Sequence, residues 1–496
     1  MLPHQTETHP RCAVVDLGSN SVRLVVFEGL DRNPTSIFNE KAVLRLGRGL
    51  QDTGRLNAEG VTQALTVMAR YAAIARAMKA EPFEVLATAA VRDAANGAAF
   101  VADLEARMPG VPIRILSGEQ EAAFSADGLL CGMPGADGLL ADIGGGSLEL
   151  VRLDRGVRGA ALTLPLGVIR LADRAGGDLD RARALADKDL DTAAGLDMVA
   201  GRDLYLVGGA WRALARVHMA QSGYPLNMVQ AYTLTPQAAR ELAAGISGSP
   251  KRILERMSGM PRRRVEDLPY AAVVLRRLLR STGAGRIVFS ALGLREGWYM
   301  QRLSAEMRAE DPMLSAGQAL SRRLGRDQGM PPALLAWTAG LFPDETPQSH
   351  RLREAACWMS DAGSHDHPEY RAEQSFLRVL RQPGSGMSHP ARAFLATVLA
   401  LRYDAEPEAE FLAPARALMV PESWRTATVL GMGLRLAYTL SAGTPDLLAG
   451  TELRAGQSLM LRLTPGTGVF AGESVTRRLD RLAQVLGVAA LTEDAA

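Results

Sequence analysis

The residues best suited to chemistry in this sequence lie in a short polar loop between two apolar runs. The stretch is AVVDLGSNSVRLVVFE, residues 13–28. Its polar and flexible residues are Asp16, Gly18, Ser19, Asn20 and Ser21. Glycine allows backbone N–H groups to approach an anion closely, hydroxyl and amide side chains donate hydrogen bonds, and an aspartate holds a divalent cation. The stretch predicts a phosphate-binding loop at the tip of a hairpin, although an ordinary turn between strands has the same composition.

A second copy of the pattern favours phosphate binding. It is LLADIGGGSLELVRL, residues 139–153, in which Asp142 aligns with Asp16 at an offset of 126 (142 minus 16). The remaining residues of this second loop are Gly144, Gly145, Gly146 and Ser147. A Leu-Gly pair at 46–47 has a similar counterpart at 166–167. The repeat predicts two domains of one fold, whose loops face each other across a cleft and hold a phosphoanhydride.

Charged residues near the loops are candidates for catalysis. Glu121 could take a proton from an attacking water, although acids are also common at helix N-termini. Arg92 could clamp phosphate oxygens, or it could be a surface arginine. Asp142 and Glu149 flank the second loop and could bind Mg²⁺ or another divalent cation, because these ions prefer oxygen ligands.

Other features have two interpretations each. The double glycine Gly208-Gly209 follows an apolar run and is either a phosphate cradle or a tight turn. Arg295 and Glu296 either line the cleft or have a structural role, which we favour. Two arginine clusters either guide a long polyanion or form a solvated helix face, which we also favour. Their residues are Arg262, Arg263, Arg264, Arg276, Arg277 and Arg280.

The order of predicted elements indicates an α/β fold before residue 305. Strand and helix patterns alternate from residue 13 to residue 129 and restart at residue 138. Residues 89–108 are predicted as one helix. Helical spacing dominates after residue 305, and a mixed pattern returns near residue 451. We predict four domains, at 1–130, 131–304, 305–445 and 446–496.

The composition excludes several classes of protein. The 496 residues are 47% apolar and have a formal net charge of +2, so the chain can form a full core and has no overall field for nucleic acid. The widely spaced Cys12, Cys131 and Cys357 suggest no disulfide framework and fit a reducing cytoplasm. The N-terminal twelve residues lack a signal-peptide pattern, and no apolar run is long enough for a membrane span.

A set of motifs resembles, in order, the exopolyphosphatase and guanosine pentaphosphate phosphohydrolase family. They are VVDLGSNSVRLVV, LRLGRGL, ATAAVRDAAN, ILSGEQEAAF, ADIGGGSLELV, LPLGVIRL, LVGGAWRALA and ALGLREG. The resemblance implies two actin-like (ribonuclease H-like) domains in tandem. The chain length, HPEYRAEQSF (367–376) and SHPARAFLATVLALRYD (388–404) are similar to the longer members. They imply an all-α HD-like domain and a small α/β C-terminal piece.

The resemblance also implies an activity, the release of the terminal phosphate of inorganic polyphosphate by water. Glu121 would activate the water and Arg92 would contact the terminal phosphate. Asp142 and Glu149 would hold Mg²⁺, and the two loops would bind phosphates. Family members are commonly dimers, so a homodimer is expected, with no nucleic-acid or membrane partner.

Departures from the family pattern bear on the substrate. Gln120 stands where a second glutamate is common before the base. Ala210 follows the double glycine where a hydroxyl residue is usual, and Trp211 is bulky. We expect weaker nucleotide recognition, so polyphosphate ranks above guanosine pentaphosphate (pppGpp), which would give ppGpp. A sensing protein that binds either compound without turnover is a third hypothesis, and a small-molecule kinase is less favoured.

The predicted third domain holds most of the histidines. They are His350, His365, His367 and His389. HD-type phosphohydrolases bind metal through an adjacent His-Asp pair. In the motif WMSDAG, Ser360 stands before Asp361, and the literal pair His365-Asp366 follows a glycine in a loop-like stretch. We therefore expect no working second metal site in this domain.

Overall fold

The computed structural model describes residues 10–193, 195–383, 386–466, 469 and 471–494. The chain divides into two units, of which the first ends at Ala309 and the second begins at Glu310. Of the N-terminal twelve residues, for which the sequence shows no signal-peptide pattern, the first nine lie outside the described residues. In the described part of the chain, no helix combines the length and the apolar character needed to cross a membrane.

The first unit contains two sheets and the helices around them. Its strands are β1 (Arg11–Leu17), β2 (Ser21–Glu28), β3 (Thr35–Val43), β4 (Ala80–Ala87), β5 (Ile113–Ile115), β6 (Gly138–Ile143), β7 (Leu148–Asp154), β8 (Val157–Leu164), β9 (Asp203–Val207), β10 (Tyr232–Leu234) and β11 (Arg286–Phe289). Its helices are α1 (Leu50–Thr53), α2 (Ala58–Ala77), α3 (Ala89–Asp93), α4 (Gly97–Arg107), α5 (Gly118–Gly132), α6 (Val168–Ala175), α7 (Leu179–Asp191), α8 (Gly209–Ser222), α9 (Pro236–Gly248), α10 (Lys251–Leu254), α11 (Leu268–Thr282), α12 (Leu294–Met300) and α13 (Ala305–Ala309).

The first five strands form one mixed sheet in the order β3-β2-β1-β4-β5. β1 is antiparallel to β2 and parallel to β4. Ala13 and Val15 belong to a core with residues of α2 and α4, whereas Cys12 and Val14 pack with residues of α5 and α12. Because both faces of β1 are covered, its sequence is an unbroken apolar run rather than an alternating one.

The second sheet has the order β10-β11-β9-β6-β7-β8. Strands β8, β7, β6, β9 and β11 repeat the order of the first sheet, and β10 adds an antiparallel edge strand. The directions also agree, since β6 is antiparallel to β7 and parallel to β9. The sequence repeat is therefore a repeat of the fold.

Helices α5 and α12 lie between the two sheets. Ala126 of α5 packs on the second sheet, whereas Phe124 of α5 and Tyr299 of α12 pack on the first. The hydroxyl of Tyr299 donates to the backbone oxygen of Asp31 at 2.8 Å. The two helices approach so closely that a Cβ on Gly297 would lie 1.8 Å from the backbone oxygen of Phe124. Because α5 packs against both sheets and α12, its N-terminal turn has a fixed position between the sheets.

The single helix predicted at residues 89–108 is wrong, because this stretch forms α3 and α4. The backbone of Ala94 is extended, and the amide of Ala95 donates to the oxygen of Gly54 at 2.9 Å. The turn into α4 is tight, since a Cβ on Gly97 would lie 2.0 Å from the backbone oxygen of Val91. Helical periodicity continues across this break, so the pattern alone does not reveal it.

The second unit is mainly helical and has a small sheet near its end. Its helices are α14 (Pro312–Leu324), α15 (Met330–Thr338), α16 (Pro347–Met359), α17 (Arg371–Leu380), α18 (His389–Arg402), α19 (Ala413–Arg416), α20 (Pro421–Ser441), α21 (Pro445–Ala449) and α22 (Glu473–Leu486). Its strands are β12 (Thr451–Ala455), β13 (Ser458–Leu463) and β14 (Ala489–Asp494), paired in that order.

The acidic residues of the HD-like motifs are engaged by arginines. Asp361 accepts hydrogen bonds from Nε and Nη2 of Arg326 at 3.0 and 2.9 Å. Asp366 forms an ion pair with Arg378 at 3.1 Å. Across the described ranges, no group of three His, Cys, Asp or Glu side chains is arranged to hold a metal ion.

The cysteines are unreactive packing residues. Cys12, Cys131 and Cys357 are free and buried. Burial raises the pKa of Cys131 and of Cys357 to about 12, so both are thiols at neutral pH.

Candidate active site

The two polar loops have the same backbone geometry. The amide of Gly18 donates to the oxygen of Ser21 at 3.1 Å, and the amide of Gly144 donates to the oxygen of Ser147 at 3.0 Å. These bonds lie at equivalent positions of the sequence repeat. The loops are therefore two copies of one turn that exposes backbone N–H groups.

The Leu-Gly pairs of the repeat support the loops from behind. The amide of Gly47 donates to the oxygen of Ser19 at 2.9 Å. Gly167 lies against the second loop, where a Cβ would come within 2.3 Å of the amide nitrogen of Ser147. Only glycine fits this position, because any side chain would collide with the loop backbone.

The loops face each other at close range. A Cβ on Gly145 would lie 3.0 Å from the Cβ of Ser19, and one on Gly146 would lie 2.9 Å from the Oγ of Ser19. Between them lies a cavity of about 160 Å³. Every residue predicted to bind phosphate lines it, namely Asp16, Gly18, Ser19, Asn20, Ser21, Gly144, Gly145, Gly146, Ser147, Gly208 and Gly209.

Glu121 also lines this cavity, on the first turn of α5. The helix begins with a capping box between Ser117 and Gln120, and Glu121 is the next residue. The residue is only 7% exposed. Burial raises the pKa of Glu121 to about 7, against the lowering effect of Arg92, with Asp142 among the charges that raise it further. A carboxyl with this pKa is suited to accept a proton at neutral pH.

Arg92 contacts Glu121 and is not among the residues that line the cavity. Its Nη1 donates to Oε1 of Glu121 and, at 2.7 Å, to the backbone oxygen of Leu116. Its Nε donates to Asp93 at 3.2 Å, and Asp93 also pairs with Arg170 from the second half of the unit. The structure thus brings Arg92 to Glu121 without placing it on the cavity wall.

The predicted metal ligands are two adjacent carboxylates of the second hairpin. Asp142 and Glu149 are partners across β6 and β7, and both line the cavity. Asp142 accepts a hydrogen bond from the hydroxyl of Ser125. Glu149 is 3% exposed, and its Oε1 is buried without a hydrogen-bond partner in the described residues. Burial raises the pKa of both carboxyls, and the charge of Glu121 raises that of Glu149 further.

A divalent cation fits this pair. A buried carboxylate oxygen without a partner is costly unless a cation or proton occupies it. Magnesium typically uses one or two protein carboxylates and completes its shell with water and phosphate oxygens, so two ligands are sufficient.

Comparisons with known proteins agree with this fold. The model of the Ppx/GppA phosphatase family matches residues 25–306, and a model described as exopolyphosphatase, C-terminal, matches residues 316–491. The chain belongs to the Ppx/GppA phosphatase family. The resemblance read from the sequence motifs is therefore confirmed.

Named relatives of this Ppx/GppA family member differ in coverage. Exopolyphosphatase 2 of Mycobacterium tuberculosis is 33% identical over 33% of this chain and 54% of that protein, so the match spans about half of its length. Exopolyphosphatase 1 of Mycobacterium bovis is 29% identical over 60% of this chain and 89% of its own. A guanosine-5′-triphosphate,3′-diphosphate pyrophosphatase of Vibrio cholerae is 25% identical over 72% of this chain and 74% of that protein.

Solved structures of the Ppx/GppA family show the same fold. An exopolyphosphatase from Cytophaga hutchinsonii has a TM-score of 0.53 at 22% identity, over 59% of this chain and 97% of that one. The Ppx/GppA enzyme of Aquifex aeolicus has a TM-score of 0.50 at 23% identity, over 58% of this chain and 98% of that one. The actin-like α/β arrangement implied for the first unit is thereby confirmed.

Sequence reasoning missed most of the positive charge in this Ppx/GppA site. Five basic side chains line the cavity, namely Arg23, Lys41, Arg212, Arg264 and Arg295. Loss of water around its ammonium group, together with Arg264 and Arg23, lowers the pKa of Lys41 to about 8. Burial and Arg295 lower the pKa of Arg212 to about 10. Cations that depress one another's pKa indicate a site built for an anion.

Two of these cations follow from strand register. Asp16 is opposite Arg23 across β1 and β2, and Arg23 is opposite Lys41 across β2 and β3. The three side chains therefore form one row at the loop end of the sheet. Counting from the loop along the predicted hairpin would have found Arg23, because residues equally distant from a hairpin tip are neighbours.

Three residues that we considered ambiguous have clear positions. Arg295 lines the cavity and is 3.9 Å from Asp16, so the purely structural role is wrong for it. Glu296 has the structural role, since it accepts the amide hydrogen bond of Gly293 at 2.9 Å. Of the first arginine cluster, only Arg264 lines the cavity, whereas Arg262 and Arg263 are exposed.

The departures from the family pattern are explained by packing. The side chain of Gln120 accepts the amide hydrogen bond of Ser117 at 2.9 Å and so caps α5. Ala210 and Trp211 are both buried in the core of the second sheet, and Nε1 of Trp211 donates to the oxygen of Ala271 at 3.4 Å. Trp211 therefore does not obstruct the turn at Gly208-Gly209.

Proposed function

We propose that this protein is an exopolyphosphatase that releases the terminal orthophosphate of inorganic polyphosphate. The observation that carries the proposal is a buried Glu121 with a pKa of about 7 in the same cavity as two phosphate-type loops. Glu121 would accept a proton from water as the water oxygen bonds to the terminal phosphorus and the P–O bond to the chain breaks. A polyphosphate shorter by one unit then leaves.

The loops and the basic residues would bind the substrate. Backbone N–H groups of both loops would hold the terminal phosphate, and hydroxyls such as those of Ser19 and Ser147 would donate to it. Lys41, Arg212 and Arg264 would neutralise the following phosphates. A row of cations along one cleft suits a linear polyanion.

Asp142 and Glu149 would hold Mg²⁺ or another divalent cation. When bound, it neutralises charge on the phosphates during P–O cleavage. The unpartnered Oε1 of Glu149 supports this assignment.

Inorganic polyphosphate is favoured over pppGpp by the composition of the cavity wall. Among the described residues that line the cavity there is no Phe, Tyr, Trp or His side chain. A guanine base would therefore find no aromatic partner for stacking. Hydrolysis of pppGpp to ppGpp is the second candidate, supported by the name of the Vibrio cholerae relative.

Other parts of the proposal concern the whole protein. They are an all-α HD-like domain at 305–445, a small C-terminal α/β domain at 446–496, a homodimer and a cytoplasmic location. The division of the first unit into domains at 1–130 and 131–304 is likewise part of it, with α12 of the second packing on the sheet of the first.

A phosphate-release assay tests the proposal. The purified chain is given long-chain polyphosphate and pppGpp in parallel, with and without Mg²⁺. We expect Mg²⁺-dependent release from polyphosphate, and Glu121→Gln should lower kcat by about 10²–10⁴-fold while the fold persists. Glu119→Gln removes an exposed acid from the same helical turn and should leave kcat unchanged. Higher kcat/KM on pppGpp would reverse the substrate ranking, and binding without release would indicate a sensing protein.

A further inference from the structure

A second charged cavity lies within the second unit. Its volume is about 360 Å³. Five arginines from α17, α18, α20, α22 and the loop before α15 line it, namely Arg326, Arg371, Arg402, Arg435 and Arg478. Five positively charged side chains that are distant in sequence therefore line one cavity.

Carboxylates neutralise only part of this charge. Asp361 pairs with Arg326 and, at 3.6 Å, with Arg402. Asp404 pairs with Arg435. Arg371 and Arg478 have no ion-pair partner among the described residues, so the cavity keeps a clear positive excess.

Arg402 is buried at the wall of the cavity and packs between two tyrosine rings. It is 8% exposed, and its guanidinium stacks 3.7 Å from the ring centroid of Tyr438 and 4.2 Å from that of Tyr403. Its buried Nε has no hydrogen-bond partner in the described residues, and the same is true of Nε in Arg371 and Arg478. Burial also lowers the pKa of Arg478. Buried donors without acceptors are costly, which indicates that an absent acceptor completes them.

We propose that this arginine cavity is a second phosphate-binding site, which takes a compact oligophosphate. Guanidinium groups match phosphate oxygens in a forked, two-point geometry. The cavity volume is at the lower end of the range for ligand pockets, so the occupant is small. The carboxylates of the cavity are engaged by arginines, and the site therefore binds rather than hydrolyses. It does not depend on the activity proposed for the first unit.

Binding to the full-length chain tests this site. Glu121→Gln protein without Mg²⁺ is titrated calorimetrically with inorganic triphosphate, so that hydrolysis does not interfere. We expect two classes of site. Arg371→Gln combined with Arg478→Gln should weaken one class at least tenfold. Arg477→Gln is the control for the replacement of Arg478, because it removes one positive charge from the adjacent, exposed position. An unchanged titration in the double variant would overturn the proposal.

A second variant should act in the opposite direction. Asp404→Asn removes the negative charge beside Arg435, and asparagine tolerates the left-handed backbone of this residue (φ 79°). It should bind triphosphate three- to tenfold more tightly at this site, and equal affinity would contradict the inference. Hydrogen exchange should slow in α17 and α20 when triphosphate is bound. Phosphate release by Glu121→Gln protein would count against the proposed base alone.

Guanosine 5′-triphosphate and inorganic triphosphate distinguish the sources of the ligand. Equal affinity for the two compounds would show that the cavity recognises only the phosphate groups. Tighter binding of the nucleotide would show that a nucleoside adds contacts. Each result supports a phosphate site, whereas failure of both compounds to bind would reject it.

Discussion

Arg92 donates a hydrogen bond from Nη1 to Oε1 of Glu121, and the same nitrogen donates to the backbone oxygen of Leu116. The backbone contact fixes the arginine independently of the carboxylate. Glu121 therefore meets a positive charge on one side and, from Asp142 and Asp16, negative charge on the other. This balance determines the pH at which the proposed base is available.

We predict that kcat/KM on polyphosphate rises with pH through about 7 and that Arg92→Gln moves this limb to higher pH. Glu121 is a base only when deprotonated, and its pKa is raised to about 7. Removing the adjacent positive charge should raise that pKa by about 1–3 units. The pH dependence of kcat/KM reports the free enzyme and is the measurement required.

The control for this prediction is Arg107→Gln. Arg107 is an exposed arginine in the last turn of α4, and its loss should leave the pH profile unchanged. A profile of Arg92→Gln that is lower at every pH but not displaced would mean that Arg92 acts on substrate phosphate and not on the base.

We predict that activity falls again above pH 8 because Lys41 loses its charge. The pKa of Lys41 is lowered to about 8, so its ammonium group is neutral at higher pH. One charge-assisted contact to phosphate is worth about tenfold in kcat/KM. Lys41→Arg keeps the charge and should remove this alkaline fall.

Lys79→Arg is the matched control for Lys41→Arg. It makes the same replacement at an exposed position after α2 and should retain the wild-type alkaline fall. If Lys41→Arg retained it as well, another group would be responsible.

The loops and the sheet order were predictable because they repeat. The offset between Asp16 and Asp142 predicted two hairpins of one fold, and the two sheets share strand order and direction. The Leu-Gly echo also had a physical cause, since both glycines pack on their own loops. Where two backbone segments pack this closely, only glycine fits, so the glycine recurs in both repeats.

The alignment of the two repeats also shows why the two hairpins differ in charge, but it does so at positions where the repeats are not identical. Arg23 occupies the position equivalent to Glu149 at the offset of 126 (149 minus 23). One hairpin therefore brings a cation to the cavity and the other a carboxylate. Comparing only identical positions finds the shared turn and misses the residues that give each half its own chemistry.

The remaining cations could not be derived from local patterns. Arg212, Arg264 and Arg295 come from a helix, a short 3₁₀ turn and a second helix that meet only in the folded unit. Of three consecutive arginines at 262–264, only the last one lines the cavity. Tertiary packing determines which arginine lines the cavity, and neither the spacing nor the composition of the sequence predicts it.

We predict that Glu149→Gln stabilises the metal-free protein while it abolishes Mg²⁺ binding at this site. The pKa of the buried Glu149 carboxyl is raised well above its usual range. Such a group contributes stability below its unfolded pKa and loses it as pH rises through the folded pKa. At pH 8 the amide should therefore raise the free energy of unfolding by more than about 1 kcal/mol.

Thermal denaturation from pH 5 to pH 8 measures this effect. Without a divalent cation, wild-type stability should decline across the range more steeply than that of Glu149→Gln. Adding Mg²⁺ should raise the Tm of the wild type and not that of the variant. A variant that is less stable than the wild type at pH 8 would contradict the charge-burial argument.

We predict that Gly146→Ala lowers kcat/KM at least tenfold more than Gly144→Ala. A Cβ on Gly146 would lie 2.9 Å from the Oγ of Ser19 and 3.0 Å from the Cβ of Ala89, so it would push the two loops apart. A Cβ on Gly144 finds its nearest neighbour at 3.6 Å, in ordinary contact. Neither glycine has a positive φ, so neither position requires glycine for a left-handed backbone. Steady-state assays on polyphosphate compare them, and equal losses would show that the spacing of the loops does not limit activity.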